Sequence, residues 1–295
     1  MLKNYPKVSI ITVNFRQNLT TLEFLKSIFS ITYPNFEVLV VDNGSLTYPA
    51  EFVTQYPDIK LIVSRENRGF AGGNNLAVKE STGEYLLFIN NDTEVEKGFL
   101  EPLVERAVSS PDVGMVSPKI IFFHDKKTIQ YAGYTALNPM TMRNKTIGAG
   151  QTDNGNFDKA CPTAYAHGAA MLVPGKVIEA AGTMDESFFL YYEELDWAIR
   201  IKKAGFTIWY EPQSVVYHKE SVSTGRNSPL KTYYMNRNRI RLLRIHFKPL
   251  QVLTGLIYLY SVALVKNMII FLVKGEKENM KSLLKAYGLL KQKLC

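Results

Sequence analysis

Five short stretches of this 295-residue chain carry residues of the kinds that do chemistry. Val40-Val41-Asp42-Asn43-Gly44-Ser45 ends an apolar run in a carboxylate able to accept a ring N–H from a pyrimidine, and Gly44 permits close backbone approach. Asn67-Arg68-Gly69-Phe70-Ala71-Gly72-Gly73-Asn74-Asn75 places small residues at the opening of a helix, where backbone N–H groups suit a nucleotide diphosphate. Its spacing matches neither the dinucleotide fingerprint nor the Walker loop. Tight packing would explain the glycines but leaves three asparagines unaccounted for. Phe88-Ile89-Asn90-Asn91-Asp92-Thr93 sets an acid among polar neighbours just past a buried run, a natural ligand for a hard divalent cation bridging phosphate oxygens. Glu193, Glu194 and Asp196 share one helical turn. The helix dipole alone accounts for acids there, yet the aromatic residues around them would also enclose a general base acting on a hydroxyl. His218, closing Val215-Val216-Tyr217-His218, reads as a structural histidine or as a ligand.

Strands and helices must bring these groups together. Apolar runs at 8–13, 36–41, 59–63 and 85–89 read as strands. Between them lie helical patterns: Leu22, Leu25, Ile28 and Phe29 at helical spacing, stopped by Tyr33-Pro34, then 70–79 and 99–108. The alternation predicts βαβ units around a mostly parallel sheet, an α/β fold. Ligands of such sheets sit outside the carboxyl ends of the strands, where Asp42 and Asp92 both fall. Turn punctuation is the other reason for an acid at a strand end. Residues 124–162, rich in Gly, Asn, Thr and Asp, read as a long excursion with room for a small hairpin or a lid. Order resumes at 166–173, a helix is expected over 193–204 with Gly205 as its stop, and strands follow at 206–210 and 214–218.

Composition narrows the class. With 46% hydrophobic residues and ordinary Gly and Pro content, disorder and low-complexity architectures are excluded. The net charge of +8 is unevenly placed: through Leu230 there are 22 Lys and Arg against 25 Asp and Glu, a net of −3, and from Lys231 onward 13 against 2, a net of +11. The expected division is therefore a body over 1–230 and a basic, apolar helical extension over 231–295, with no nucleic-acid-binding body. The only cysteines, Cys161 and Cys295, build neither a disulfide framework nor a metal knuckle, which fits a reducing compartment. The first apolar run is broken by Asn14 and Arg16 and is no signal-peptide core, so a cytosolic body is expected. In the tail, Arg237, Arg239, Arg241 and Arg244 alternate with Ile240, Leu243 and Phe247 in a basic amphipathic pattern. Residues 252–273 hold one charge, Lys266, and are long enough to cross a bilayer, though Thr254, Gly255 and Ser261 dilute them. Lys-rich amphipathic sequence returns at 274–295. The series fits an anionic membrane surface; a soluble helical annex or a homodimer contact is the alternative.

The ordered segments VSIITVNF, VDNGS, NRGFAGGNN, FINND, HGAAMLV, MDESFFLYYEELDWAIRIKKAGF and VVYH resemble the inverting family-2 glycosyltransferases. The resemblance covers residues 7–244 and is closest to the rhamnosyltransferase-like branch of bacterial surface-polysaccharide enzymes. It implies a GT-A fold, an αβα sandwich with a donor half over about 1–123 and an acceptor half over about 124–230. It implies a nucleotide-diphosphate sugar donor, dTDP-rhamnose as the best match, bound by Val13, Phe15, Asp42, Asn67, Arg68, Gly69, Asn74 and Asn91. Phe15 would lie against the base, Asp42 would read it, and the glycine-rich run would lie by the ribose and diphosphate; many relatives carry an arginine at the position of Asn74. The family's Asp-X-Asp metal motif is Asn90-Asn91-Asp92 here, leaving Asp92 and His218 to hold Mg²⁺ or Mn²⁺ with help from the diphosphate. Glu194 is implied as the catalytic base, with Asp196 as the second choice and Glu193 as a helper. A lipid-linked or polysaccharide acceptor at the cytoplasmic face of the cell membrane completes the expectation. Two other readings compete: a nucleotide-sugar-binding scaffold with a decayed metal motif, and a sugar nucleotidyltransferase, which would need a Gly- and Arg-rich loop where 8–19 has no glycine.

Overall fold

The computed structural model describes residues 4–219 and 228–290. They fall into two compact units: up to 135, 145–189 and 193–219 form the first, and 136–144, 190–192 and 228–290 the second.

The first unit opens with β1 (Val8–Asn14), α1 (Asn18–Ile28), β2 (Phe36–Asn43), α2 (Ala50–Gln55), β3 (Ile59–Ser64), α3 (Gly69–Val78) and β4 (Tyr85–Ile89). The four strands run parallel in the order β3-β2-β1-β4. Val8, Ile10 and Ile11 are wholly buried, as a central parallel strand covered on both faces requires. β5 (Thr93–Val95), α4 (Leu100–Val108), β6 (Val113–Phe122), β7 (Ile129–Tyr131), β8 (Cys161–Pro162), β9 (Ala170–Pro174), α5 (Gly175–Ala181), α6 (Glu193–Lys203) and β10 (Thr207–His218) complete it. β9 runs antiparallel between β4 and β6, while β6 and β10 are parallel to each other. The mostly parallel sheet thus extends past β4, and the carboxyl ends of β1, β2, β4, β6 and β10 share one edge with the start of β9. Because β2 and β4 lie on opposite sides of β1, that edge holds the switch point where a crevice forms.

Two features depart from the sequence expectation. No strand was expected where β6 lies, because Pro118 and Lys119 interrupt its apolar pattern. Both are accommodated: Lys119, 3% exposed, is neutralised by Asp153 and Asp158 of the irregular excursion, tying that loop to the sheet. Opposite Pro118, the β6–β10 register shifts between Glu211 and Val215, around Pro212. The two strands expected at 206–210 and 214–218 are therefore one bulged strand.

α6 is locked by its inner face. Trp197 meets Phe88 edge-on at 5.2 Å and donates to the Gly182 carbonyl, while Arg200 bonds Asp196 and the Ala181 and Thr183 carbonyls. The acids that open this helix are thereby fixed in direction.

The second unit contains α7 (Pro229–His246), capped by Ser228, which accepts from the Lys231 N–H, with proline in its first turn. A continuous rod over Pro249–Val273 follows, built from α8 (Pro249–Tyr258), a π-helical turn (Leu259–Ala263) and α9 (Leu264–Val273). Gly275, at φ +68°, turns the chain into α10 (Lys277–Ala286). Asn238, wholly buried, donates both amide hydrogens to the Leu190 and Tyr191 carbonyls, and Arg239 donates to the Tyr192 hydroxyl. These bonds hold a strap whose Tyr191 and Tyr192 take positive φ values of 67° and 74°, a cost tolerated where surrounding contacts over-determine the backbone.

Candidate active site

At the β1–β2 edge a relay of polar side chains replaces apolar packing. Asn14 donates to Asp42 Oδ1 at 2.9 Å and to Asn18 Oδ1 at 3.0 Å; Thr21 donates to Asn14 Oδ1 at 3.0 Å; Asn91 donates to the Thr21 hydroxyl at 2.9 Å. Ser45 adds a 2.5 Å bond to Asp42 Oδ1. Asp42 and Asn91, from separate strand ends, are thus coupled through Asn14 and Thr21. Phe15 sits half-buried in the following turn under the Arg16 guanidinium, 5.1 Å from its ring centre.

The glycine-rich run is used for close packing. A Cβ on Gly73 would lie 2.9 Å from the Val13 side chain, so α3 can approach β1 only because that position is bare. Gly69, at φ +71°, would place a Cβ 2.1 Å from the Phe189 carbonyl oxygen, which accepts from the Phe70 N–H at 2.7 Å. Gly69→Ala combines a left-handed backbone with a backbone overlap, and is expected to lower stability by about 2–5 kcal/mol; an unchanged denaturation midpoint would contradict this packing. The asparagines are likewise engaged: Asn67 accepts from Asn43 and the Gly69 N–H, Asn74 donates to the Phe70 carbonyl, and Asn75 to the Met184 carbonyl. Arg68 faces Glu186 at 3.8 Å with both groups partly exposed.

At the other side of the crevice, β4 ends at Ile89, the Asn90 N–H is held by the Ala169 carbonyl, and Asp92 follows. Antiparallel pairing of Thr93 with His218 brings Asp92 Oδ1 to 3.2 Å from His218 Nε2, both side chains 8% exposed. His218 Nδ1 lies 2.9 Å from Gln130 Oε1, so one ring nitrogen is engaged by Gln130 while the other faces the carboxylate. Apart from His218, Asp92 Oδ1 has no hydrogen-bond partner among the described residues. A buried imidazole beside a buried carboxylate is a donor set that suits a divalent cation. Next to them His167 stacks on Tyr134 with ring centres 6.1 Å apart and accepts from the Ala169 N–H. Burial of its ring, with the nearby His218, pushes His167 down to about 3, so it stays neutral.

The acids of α6 differ in setting. Glu193 is 4% exposed, its Oε2 lacks a hydrogen-bond partner among the described residues, and burial followed by the neighbouring Glu194 charge holds its carboxyl well above the usual range. Glu194 is half-buried, its side chain lying where a Cβ on Gly168 would meet it at 3.7 Å. Asp196 is 2% exposed and paired with Arg200 at 2.8 Å. Of the three, Glu193 is the one whose carboxyl burial raises and Asp196 the one paired with Arg200. Residues 9–173, more than half of the chain, match the model of glycosyl transferase family 2.

The chain belongs to glycosyl transferase family 2. It is 28% identical over 237 residues to a low-salt glycan biosynthesis hexosyltransferase of Haloferax volcanii, covering 79% of this chain and 74% of that one. It is 26% identical over 225 residues to an N-acetylglucosaminyl-diphospho-decaprenol L-rhamnosyltransferase of Mycobacterium tuberculosis, covering 69% and 73%. Among solved structures it resembles a mannosyltransferase of Pyrobaculum calidifontis in complex with GDP-Man and Mn²⁺, with a TM-score of 0.60 and 18% identity over 97% of this chain and 75% of that one. The fold is GT-A-like, and this family 2 enzyme is a glycosyltransferase of glycan biosynthesis.

In this glycosyltransferase Val13, Asp42, Asn67, Gly69 and Asn74 gather around β1, β2 and α3, and Asn91 joins them through Thr21. Asp92 and His218 meet. Sequence reading passed over Asn14, Gln130, Tyr134 and His167. Their signal was faint: Asn14 is a polar residue ending a central strand, and His167 belongs to a segment read only as returning order and as part of the family resemblance.

Proposed function

We propose that this family 2 glycosyltransferase moves rhamnose from dTDP-rhamnose to a lipid-linked or glycan acceptor, with inversion, at the cytoplasmic face of a membrane. The observation that carries the catalytic reading is the half-buried Glu194 side chain beside a buried Glu193 whose carboxyl is held well above the usual range. Adjacent acids at one site separate into one charged and one neutral member. Glu194 then takes the proton of the acceptor hydroxyl as that oxygen attacks the anomeric carbon from the side opposite the diphosphate. The bond to the diphosphate oxygen breaks with its electron pair leaving on that oxygen, so the configuration inverts in one displacement and no covalent intermediate forms. Asp42 and Phe15 receive the base, with Asn14 and Ser45 fixing the Asp42 carboxylate in place. Val13, Arg68, Gly69, Asn67 and Asn74 shape the wall toward the ribose and diphosphate. Asp196 acts through Arg200 to hold the helix rather than on substrate.

The buried contact between Asp92 and His218 supports a divalent cation, Mg²⁺ or Mn²⁺, held together with the donor diphosphate. When bound it would supply charge neutralisation for the departing diphosphate. Rhamnose and a lipid-linked acceptor are supported by the mycobacterial relative's name, and an anionic membrane surface by the basic tail. A panel of nucleotide sugars tests the donor: dTDP-rhamnose should be hydrolysed at least about tenfold faster than UDP-N-acetylglucosamine or GDP-mannose, the discrimination that one fitted sugar pocket supplies. Faster turnover of either other donor would overturn rhamnose as the sugar. Asn90, standing where relatives carry an acid, favours the scaffold reading as the alternative; tight nucleotide binding with no turnover of any donor or acceptor would support it.

A further inference from the structure

We infer that the apolar rod Pro249–Val273 lies in the plane of an anionic bilayer surface, with one long face immersed, and does not cross the bilayer. The inference rests on the membrane-surface reading above and decides its geometry. By length a crossing is possible: 25 residues span about 37 Å, more than the ~30 Å of a hydrocarbon core. The neighbouring helices oppose it. α7 leads into the Pro249 end and α10 leaves the Val273 end, so a crossing would put them on opposite sides of the membrane. They instead pack together: Thr232 donates to Asn279 Oδ1 at 3.0 Å, and Leu283 of α10 is wholly buried. α10 also runs back along the rod, where the hydroxyl of Tyr260, near its middle, donates to the Tyr287 carbonyl at 3.0 Å. A crossing rod would carry Lys277, Lys281 and Lys285 of α10 into hydrocarbon, at a cost of several kcal/mol for each.

The rod's own faces agree. Gly255, Leu259, Ala263 and Leu264 turn inward and are buried. Leu250, Leu253, Ile257, Val265, Ile269 and Leu272 are 50–71% exposed and recur every three to eight residues along the outer side. A water-facing helix surface is normally polar, so a stripe of this length marks an interaction face. Charge selects the partner. Lys248 and Lys274 bracket the stripe, Lys266 sits within it with an aliphatic stem able to reach the headgroups, and the tail from Lys231 is +11 overall. An acidic lipid surface offers both the apolar layer and the opposite charge.

The test uses the full chain with Cys161 and Cys295 replaced by serine and a single environment-sensitive dye on Ile257→Cys, Val265→Cys or Ile269→Cys. Vesicles of phosphatidylcholine, alone or with phosphatidylglycerol, carry spin labels shallow or deep in the acyl chains. The expected result is phosphatidylglycerol-dependent binding that weakens with salt, and stronger quenching by the shallow label at all three positions. Pairing Ile257→Asp with Ile269→Asp should weaken binding by on the order of 10²-fold without moving the thermal midpoint in solution. Deepest quenching at Val265 with shallower ends would overturn the in-plane geometry while leaving membrane association intact. Binding to neither vesicle would overturn both. A concentration-dependent dye shift without lipid would assign the face to a second copy of the chain and overturn the inference.

Discussion

Glu194→Gln is expected to lower sugar transfer by about 10²–10⁴, the share of the barrier a positioned base removes, while leaving donor affinity and the thermal midpoint unchanged. The amide keeps the shape of the side chain and loses only the ability to take a proton. Glu193→Gln is the informative control. Since Glu193 is buried and its carboxyl is held well above the usual range, an amide resembles the form already present, and transfer should fall little. Steady-state rates at saturating donor and acceptor separate the two variants. Near-normal transfer by Glu194→Gln would remove Glu194 as the base. Equal loss in both variants would mean that the pair acts as a unit, with the proton not localised on Glu193.

The second large effect belongs to Asp92. Asp92→Asn preserves volume and removes the charge that meets His218 Nε2, and transfer should drop by on the order of 10² or more, as when one stabiliser of developing charge is removed. A separate readout comes from binding: dTDP affinity of the unaltered chain, measured by calorimetry, should rise on adding Mn²⁺ and fall with a chelator, whereas the Asp92→Asn chain should show no such dependence. Indifference of the unaltered chain to Mn²⁺ would sink the cation site. A single carboxylate and one imidazole make a weak site without the diphosphate, so metal and nucleotide should bind with positive linkage.

The alternation of apolar runs and helical patterns from 8 to 108 was legible because the central strands are buried on both faces and each ends in a polar turn. β6 was not, because Pro118 and Lys119 make sense only when the β10 bulge and Asp153 and Asp158 stand opposite them. The glycine-rich run was legible as a place of close approach, but its partners were not: Phe189 is over a hundred residues further along the chain, and no local rule links it to Gly69. The same limit applied to His218. As one histidine at a strand end it had two readings, and the β5–β10 pairing that sets it against Asp92 could not be read from its own neighbourhood in the chain.

Taken alone, the sequence determined the fold class, the positions of the strand-end acids, and the division of charge into an acidic body and a basic tail. Each of these depends on local pattern or composition. The tertiary structure decided which carboxyls are buried, which strand-end groups meet, and which side of the apolar helix is left uncovered. Those outcomes depend on burial and on distances between residues remote in the chain. Desolvation and short-range contact follow from what packs against a group, and nothing in a residue's own neighbourhood along the sequence specifies that.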